Sequence, residues 1–219
     1  MKTNEYSLMK VELVDVMGDD LRVANAARVS FGKWKEEINE SDANLIRYLA
    51  ANEHTSPFRH TAITLRCSAP IFLARQLGKH QVGMSWNEVS RRYVKDDIKF
   101  FEFESIRMAP EGSIKQGSAG IHVDSESIKK YVDDIQQRCL AAYQCMLHDG
   151  VAPEQARAIL PQSMMTEWIW TGSLVGFFHL VRLRKDAHAQ VEAQHFAMMV
   201  ENICKELFPI SWKELMEGA

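Results

Sequence analysis

The strand-like segments of this chain are few and scattered among helices, and that scatter limits the fold more than any other feature. Val11-Glu12-Leu13-Val14-Asp15-Val16 alternates apolar and polar residues, as a half-buried strand does. Thr61 to Cys67 places Ile63, Leu65 and Cys67 on one face, and Met165 to Thr171 reads as a further strand. Around them the spacing predicts helices. Gly18-Asp19-Asp20 ends the first strand and offers an N-cap for a helix from Leu21 to Arg28. Ser41-Asp42 caps a second, with Leu45, Ile46, Leu49 and Ala50 at helical spacing. Pro70 suits the first turn of a third, Ile71 to about Lys79. Ser125 or Ser127 opens a long helix to about His148, stopped by Asp149-Gly150. Pro153 starts a short one that Pro161 ends, Gly172-Ser173 starts another, and Ala187 to Leu207 forms the last. The pattern predicts an α+β fold, a mainly antiparallel sheet flanked by several helices, rather than a regular βαβ alternation. Glu111 to Val123, rich in Gly and Ser, reads as a mobile loop.

A chain of 219 residues is long enough for one sizeable core, and residues 1–219 read as a single domain without repeats. With 26 basic and 29 acidic residues the net charge is −3, so no global field favours nucleic acid, and any phosphate must meet a local basic site. No apolar run approaches the roughly 20 residues of a membrane span. Met1-Lys2-Thr3-Asn4-Glu5 lacks the pattern of a signal peptide, so cytoplasm is expected, or host cytoplasm for a viral gene. Cys67, Cys139, Cys145 and Cys204 form no CxxC pair and read as free, mostly buried thiols. His188 and His195 lie seven apart on one predicted helix, but no third ligand stands at metal spacing. Trp168, Trp170, Phe177 and Phe178 read as core rather than as a ring-stacking box.

The densest polar stretch runs from Arg75 to Tyr93. Gln76, Lys79 and His80 stand at i, i+3 and i+4 and would share a helix face. Gly78 lets backbone approach a ligand closely. Glu88, Ser90, Arg91 and Arg92 follow the turn, mixing anion-binding donors with one acceptor. A phosphorylated ligand needs such donors, each charge-assisted hydrogen bond being worth about 1.5–3 kcal/mol. On composition alone the stretch reads equally as a solvated charged helix end.

The order of residues adds more. Asn87-Glu88-Val89-Ser90-Arg91-Arg92-Tyr93, after a basic-His-polar triplet, resembles the signature of flavin-dependent thymidylate synthases. Ala26 to Phe31, His54 to His60, Ala69 to Gln76, Glu154 to Pro161, Thr171 to Leu174, Leu183-Arg184 and Ala189 to Glu192 follow in family order, from about residue 11 to 195. The resemblance implies synthesis of dTMP from dUMP, with methylenetetrahydrofolate as carbon donor and NADPH as reductant through FAD. It also implies no cysteine nucleophile, and a homotetramer holding FAD between subunits. It implies that Arg184 contacts uracil and favours its N3-deprotonated form, making Arg184 the candidate catalytic residue. Gln76, Lys79, Glu88, Ser90, Arg91, Arg92 and Arg157 match dUMP-binding positions. Ser30, His54, Ser56, Lys79, His80, Gln81, Asn87, Ser173 and His179 match FAD-contacting ones, and no glycine-rich dinucleotide fingerprint is present.

The chain departs from the family pattern on the flavin side. Lys79-His80-Gln81 stands for the usual Arg-His-Arg, and Val82 to Val89 puts eight residues where relatives have seven. Lys keeps a charge but not the planar fork of Arg. Val175 stands where an Arg is common, and Arg59 and Arg91 are candidate compensators. Three alternatives stay open: a related pyrimidine nucleotide hydroxymethylase, an inactive nucleotide-binding relative, and a nucleic-acid module built on Arg91-Arg92.

Overall fold

The computed structural model describes residues 8–110, 112 and 117–218. The reading of Met1 to Glu5 lies outside these residues, as do Glu111 and residues 113–116 of the stretch read as a loop. The first strand, β1, is Lys10–Met17. Helix α1, Asp20–Arg28, follows, its N-terminus capped by the Asp19 carboxylate accepting from Arg22 N. Helix α2 is Glu40–Ala51, and here the sequence expectation is corrected: Asn39 is the cap, not Ser41-Asp42. Asn39 and Asp42 form a reciprocal capping box, so Asp42 sits inside the first turn. Asp42 is fully buried, and Arg28 and Lys35 both pair with it, tying the loop between α1 and α2 to the body.

Strand β2, Ala62–Pro70, runs into α3, Ile71–Leu77, and then β3, Met84–Glu88. The long helix α4 is Ser125–His148, and α5, Pro153–Ala156, leads into a 3-10 turn and strand β4, Met165–Gly172. Helices α6, Leu174–Arg184, α7, Val191–Leu207, and α8, Pro209–Glu217, complete the chain. The four strands form one antiparallel sheet in the order β1-β2-β4-β3. Strand β1 carries a bulge between Leu13 and Asp15, which leaves Val14 54% exposed despite the sequence alternation.

The core lies between one face of the sheet and α6, α7 and α8. Ile63, Leu65, Cys67 and Ala69 of β2 point there, fully buried at the period of two that a pleated strand imposes. Trp168 and Trp170 of β4 join them; Phe196 stacks on Trp168 and Phe177 meets Trp170 edge-on. The expected core role of these aromatics holds. Of the cysteines, Cys67 and Cys204 are buried while Cys145 is exposed.

Two parts differ from the sequence expectation. Strand β3 and helix α8 are not anticipated: β3 is short, and α8 starts at a proline after a single-residue break. The Asp20 carboxylate of α1 accepts from Ile210 N and Ser211 N, so α8 takes its cap from the far end of the chain. The described part of the stretch read as a mobile loop is stitched down. Met108 N donates to Gly120 O, His122 N to Ile106 O, and Arg107 bonds Ser118 while forking onto buried Glu192 of α7. Among the described residues no helix is long and apolar enough to cross a membrane.

Candidate active site

Helix α3 stops at Leu77, two residues earlier than its spacing predicts, with Gly78 as C-cap. Lys79 and His80 therefore lie beyond the helix. Lys79 N donates to Gln76 O and His80 N to Leu77 O, which curls both residues back over the helix end. The shared helix face expected of Gln76, Lys79 and His80 does not form, since two of them lie past the helix; this turn, not helical periodicity, gathers them. The chain reverses at Gly83, whose φ of +69° suits glycine, and enters β3.

Two cavities flank this turn. The first, about 530 Å³, is walled by Arg75, Gln76, Lys79, His80 and Gln81 on one side, and by Met84, Trp86, Glu88 and Trp170 of the sheet on the other. The second, about 330 Å³, lies between the same loop and the start of α6, with Arg59, Ser173, Val175, Gly176 and His179 in its wall. Lys79, His80, Gln81 and Met84 belong to both walls.

Alternation along β3 decides what the first cavity sees. Trp86 and Glu88 face it, while Asn87 points to the other side of the sheet. The Glu88 carboxylate is held by Thr166 Oγ1 at 2.7 Å and by Trp86 Nε1 at 3.3 Å. Trp86 is fixed in turn by stacking on Trp168, with ring centroids 4.2 Å apart. Gln76 turns a buried Oε1 with no hydrogen-bond partner among the described residues.

Arg184, the last residue of α6, joins the two walls. Its Nε donates to His80 Nε2 at 3.1 Å, and Nη2 reaches the Gln76 carbonyl at 3.4 Å. Burial, with the positive Arg184 and then His179 nearby, lowers the His80 imidazole to about 4. Burial, then Arg182 and Arg59, lowers His179 in the same direction. Both shifts favour the neutral ring.

The structure thus brings together Gln76, Lys79, His80, Gln81 and Glu88 around the first cavity and Lys79, His80, Gln81, Ser173 and His179 around the second; Arg184 stands in neither wall but is hydrogen-bonded to His80, which lies in both. Other candidates line neither. Arg91 spends its guanidinium on the Asp96 and Val94 carbonyls. Ser90 accepts from Arg92 N, and the Arg92 side chain covers the Tyr93 ring. Arg157 is exposed in the turn after α5. Ser30, His54 and Ser56 are exposed after α1 and α2 and line neither cavity, although Arg59 of the second wall donates its N–H to the Ser56 carbonyl. Sequence reasoning did not single out Arg75, Met84 or Trp86. Arg75 adjoins Gln76 in the polar stretch and was legible there, whereas Met84 and Trp86 needed recognition of β3.

The profile of the family described as thymidylate synthase complementing protein matches residues 12–210. A flavin-dependent thymidylate synthase of Thermus thermophilus is 39% identical over 95% of this chain and 77% of its own length. One from Thermosipho africanus is 36% identical over 98% of this chain and 95% of its own. Among solved structures, the UMP/dUMP methylase PolB from Streptomyces cacaoi bound with 5-Br dUMP superposes with a TM-score of 0.86. It is 30% identical, with 95% of each chain covered.

Proposed function

The chain belongs to the thymidylate synthase complementing protein family of flavin-dependent thymidylate synthases, and from that premise we propose that it methylates dUMP to dTMP. The observation that carries the reading is the Arg184 guanidinium joined to the walls of two adjacent cavities. The first cavity takes the nucleotide and the second the flavin ring.

The residues fit these ligands. The unpartnered Gln76 Oε1 awaits a donor from a ligand. Lys79 and Arg75 supply cations for a phosphate, and Glu88 is a fixed acceptor for a hydroxyl or ring N–H. Arg184 stabilises negative charge on the pyrimidine, lowering the pKa of N3 and shifting electron density toward C5. The second cavity pairs polar Ser173 and His179 with apolar Val175, as a ring system with one polar edge requires. It holds such a ring but not a whole dinucleotide. Exposed Ser30, His54 and Ser56 then serve the rest of FAD across a subunit boundary, with Arg157 reaching a nucleotide from a neighbour. Val29, Phe31 and Trp34 beside Ser30 are 65%, 79% and 60% exposed, an apolar surface that supports burial in a homotetramer.

When bound, FAD reduced by NADPH supplies the hydride, and methylenetetrahydrofolate the carbon. No cysteine among the described residues lines either cavity, and burial pushes the Cys67 and Cys204 thiols well above their ordinary range. That supports a route without a thiolate nucleophile. The protein acts in the cytoplasm of its cell or host, where these co-substrates are found.

Purified protein supplied with dUMP, methylenetetrahydrofolate, NADPH and FAD should show an oxidised-flavin absorption band and yield dTMP by mass spectrometry. Hydroxymethyl-dUMP as product, or a colourless protein that takes up no FAD, would overturn the reading. Light scattering of the holoprotein tests the tetramer.

A further inference from the structure

We propose that Arg184 is also a positioning residue that fixes the tautomer of His80, so that His80 presents an Nδ1–H donor to the ligand at the wall shared by the two cavities. An arginine Nε–H is a donor under all conditions, because the guanidinium does not deprotonate in proteins. Arg184 Nε lies 3.1 Å from His80 Nε2. That nitrogen must therefore be the bare, accepting one, and the single proton of the neutral ring resides on Nδ1.

Neutrality is enforced by the surroundings. Burial disfavours the imidazolium, and the Arg184 cation and then His179 disfavour it further. A free neutral imidazole prefers its proton on Nε2, so the arrangement holds the less favoured tautomer. The guanidinium is itself anchored by the Gln76 carbonyl, which limits its rotation away from the ring. Nδ1 makes no hydrogen bond to protein among the described residues, and His80 lies in both walls. The group that Nδ1–H recognises is an acceptor, a carbonyl oxygen or bare ring nitrogen. On the functional reading above, that is the polar edge of the flavin ring.

Proton-detected 15N spectroscopy of the imidazole, on purified protein without added ligand, tests the lock independently of catalysis. Wild-type His80 should show a protonated Nδ1 and a bare Nε2 at neutral pH, and Arg184→Met should move the proton to Nε2. A protonated Nε2 in the wild type, or an unchanged tautomer in Arg184→Met, would overturn the proposal. The wild-type spectrum decides alone if the variant does not fold.

Equilibrium titration with FAD tests the donor. The amide nitrogen of Asn stands near the Nδ1 position, whereas Gln reaches the Nε2 position. His80→Asn should keep FAD affinity within about threefold, and His80→Gln should weaken it about tenfold. Equal losses, or the reverse order, would refute an Nδ1–H donor. Failure of wild-type protein to bind FAD would refute the flavin reading instead and leave the tautomer to be judged by the spectrum.

Discussion

The thioether of Met84 occupies the space that a side chain on Gly172 would need. The two residues are cross-strand partners, Met84 on β3 and Gly172 at the end of β4. A Cβ on Gly176, in the first turn of α6, would lie 2.8 Å from the same sulfur. Two glycines thus form a notch for one methionine, and that methionine lines both cavities.

Gly176→Ala should push the Met84 side chain out of its notch and into the cavities. Overpacking costs at most about 1–3 kcal/mol, and because the displaced group is a flexible thioether and Ala gains about 1 kcal/mol over Gly within a helix, the net loss in urea unfolding should be about 1 kcal/mol or less. Met84→Ala in the same background should recover most of the loss. Additive losses in the double mutant would show that the two residues do not share the notch.

Arg184→Lys keeps the charge but loses the fork that reaches His80 and the Gln76 carbonyl at once and that, on the proposed function, also serves the nucleotide. Turnover should fall at least about hundredfold, with FAD still bound at saturating concentration. Single-turnover kinetics with FAD-loaded protein checks this, and an unchanged rate would remove Arg184 from the chemistry.

Arg75→Ala should raise KM for dUMP about tenfold and leave kcat within about twofold, because a phosphate contact is made equally in ground and transition states. The prediction follows from the position of Arg75 in the wall of the first cavity. A kcat effect without a KM effect would assign Arg75 a different role.

Stability should fall as pH drops from about 6.5 toward about 4. His80 titrates near 4 in the folded protein against an ordinary 6.5. Between these values the unfolded chain binds a proton that the folded chain refuses, so acid favours unfolding there. The contribution is complete above pH 6.5 and spent below about 4. His179 and His195 are lowered too and act in the same sense. Urea unfolding across this range should show a shallower slope for His80→Asn than for wild type.

Asp42→Ala should destabilise the protein by about 3 kcal/mol, since it removes the partner of Arg28 and Lys35 from a buried position. Asn39→Ala should cost about 1 kcal/mol, the ordinary value of a helix cap. Thermal and urea denaturation of both variants measure the two losses, the excess for Asp42→Ala over Asn39→Ala reporting the buried ion pairs beyond the capping box.

The sequence by itself determined the elements whose signals are local. The alternation of Ile63, Leu65 and Cys67 places β2 in the core, and the run from Ser125 to Asp149-Gly150 bounds α4. The ordered motifs also pointed to the family and to Arg184. Tertiary structure alone decided features built from residues far apart in the chain. Helix α8 draws its cap from Asp20, β3 exists by pairing with β4, and the bulge in β1 turns Val14 outward. The same holds at the site. Sequence placed Gln76, Lys79 and His80 on one helix face, but the helix ends at Leu77 and a turn performs the gathering. Nor did spacing reveal that Arg184 meets His80, because hydrogen bonding between residues so far apart in sequence depends on how α6 packs against the sheet. Periodicity reports which face of an element is apolar, whereas the meeting of two faces is fixed only when the core closes.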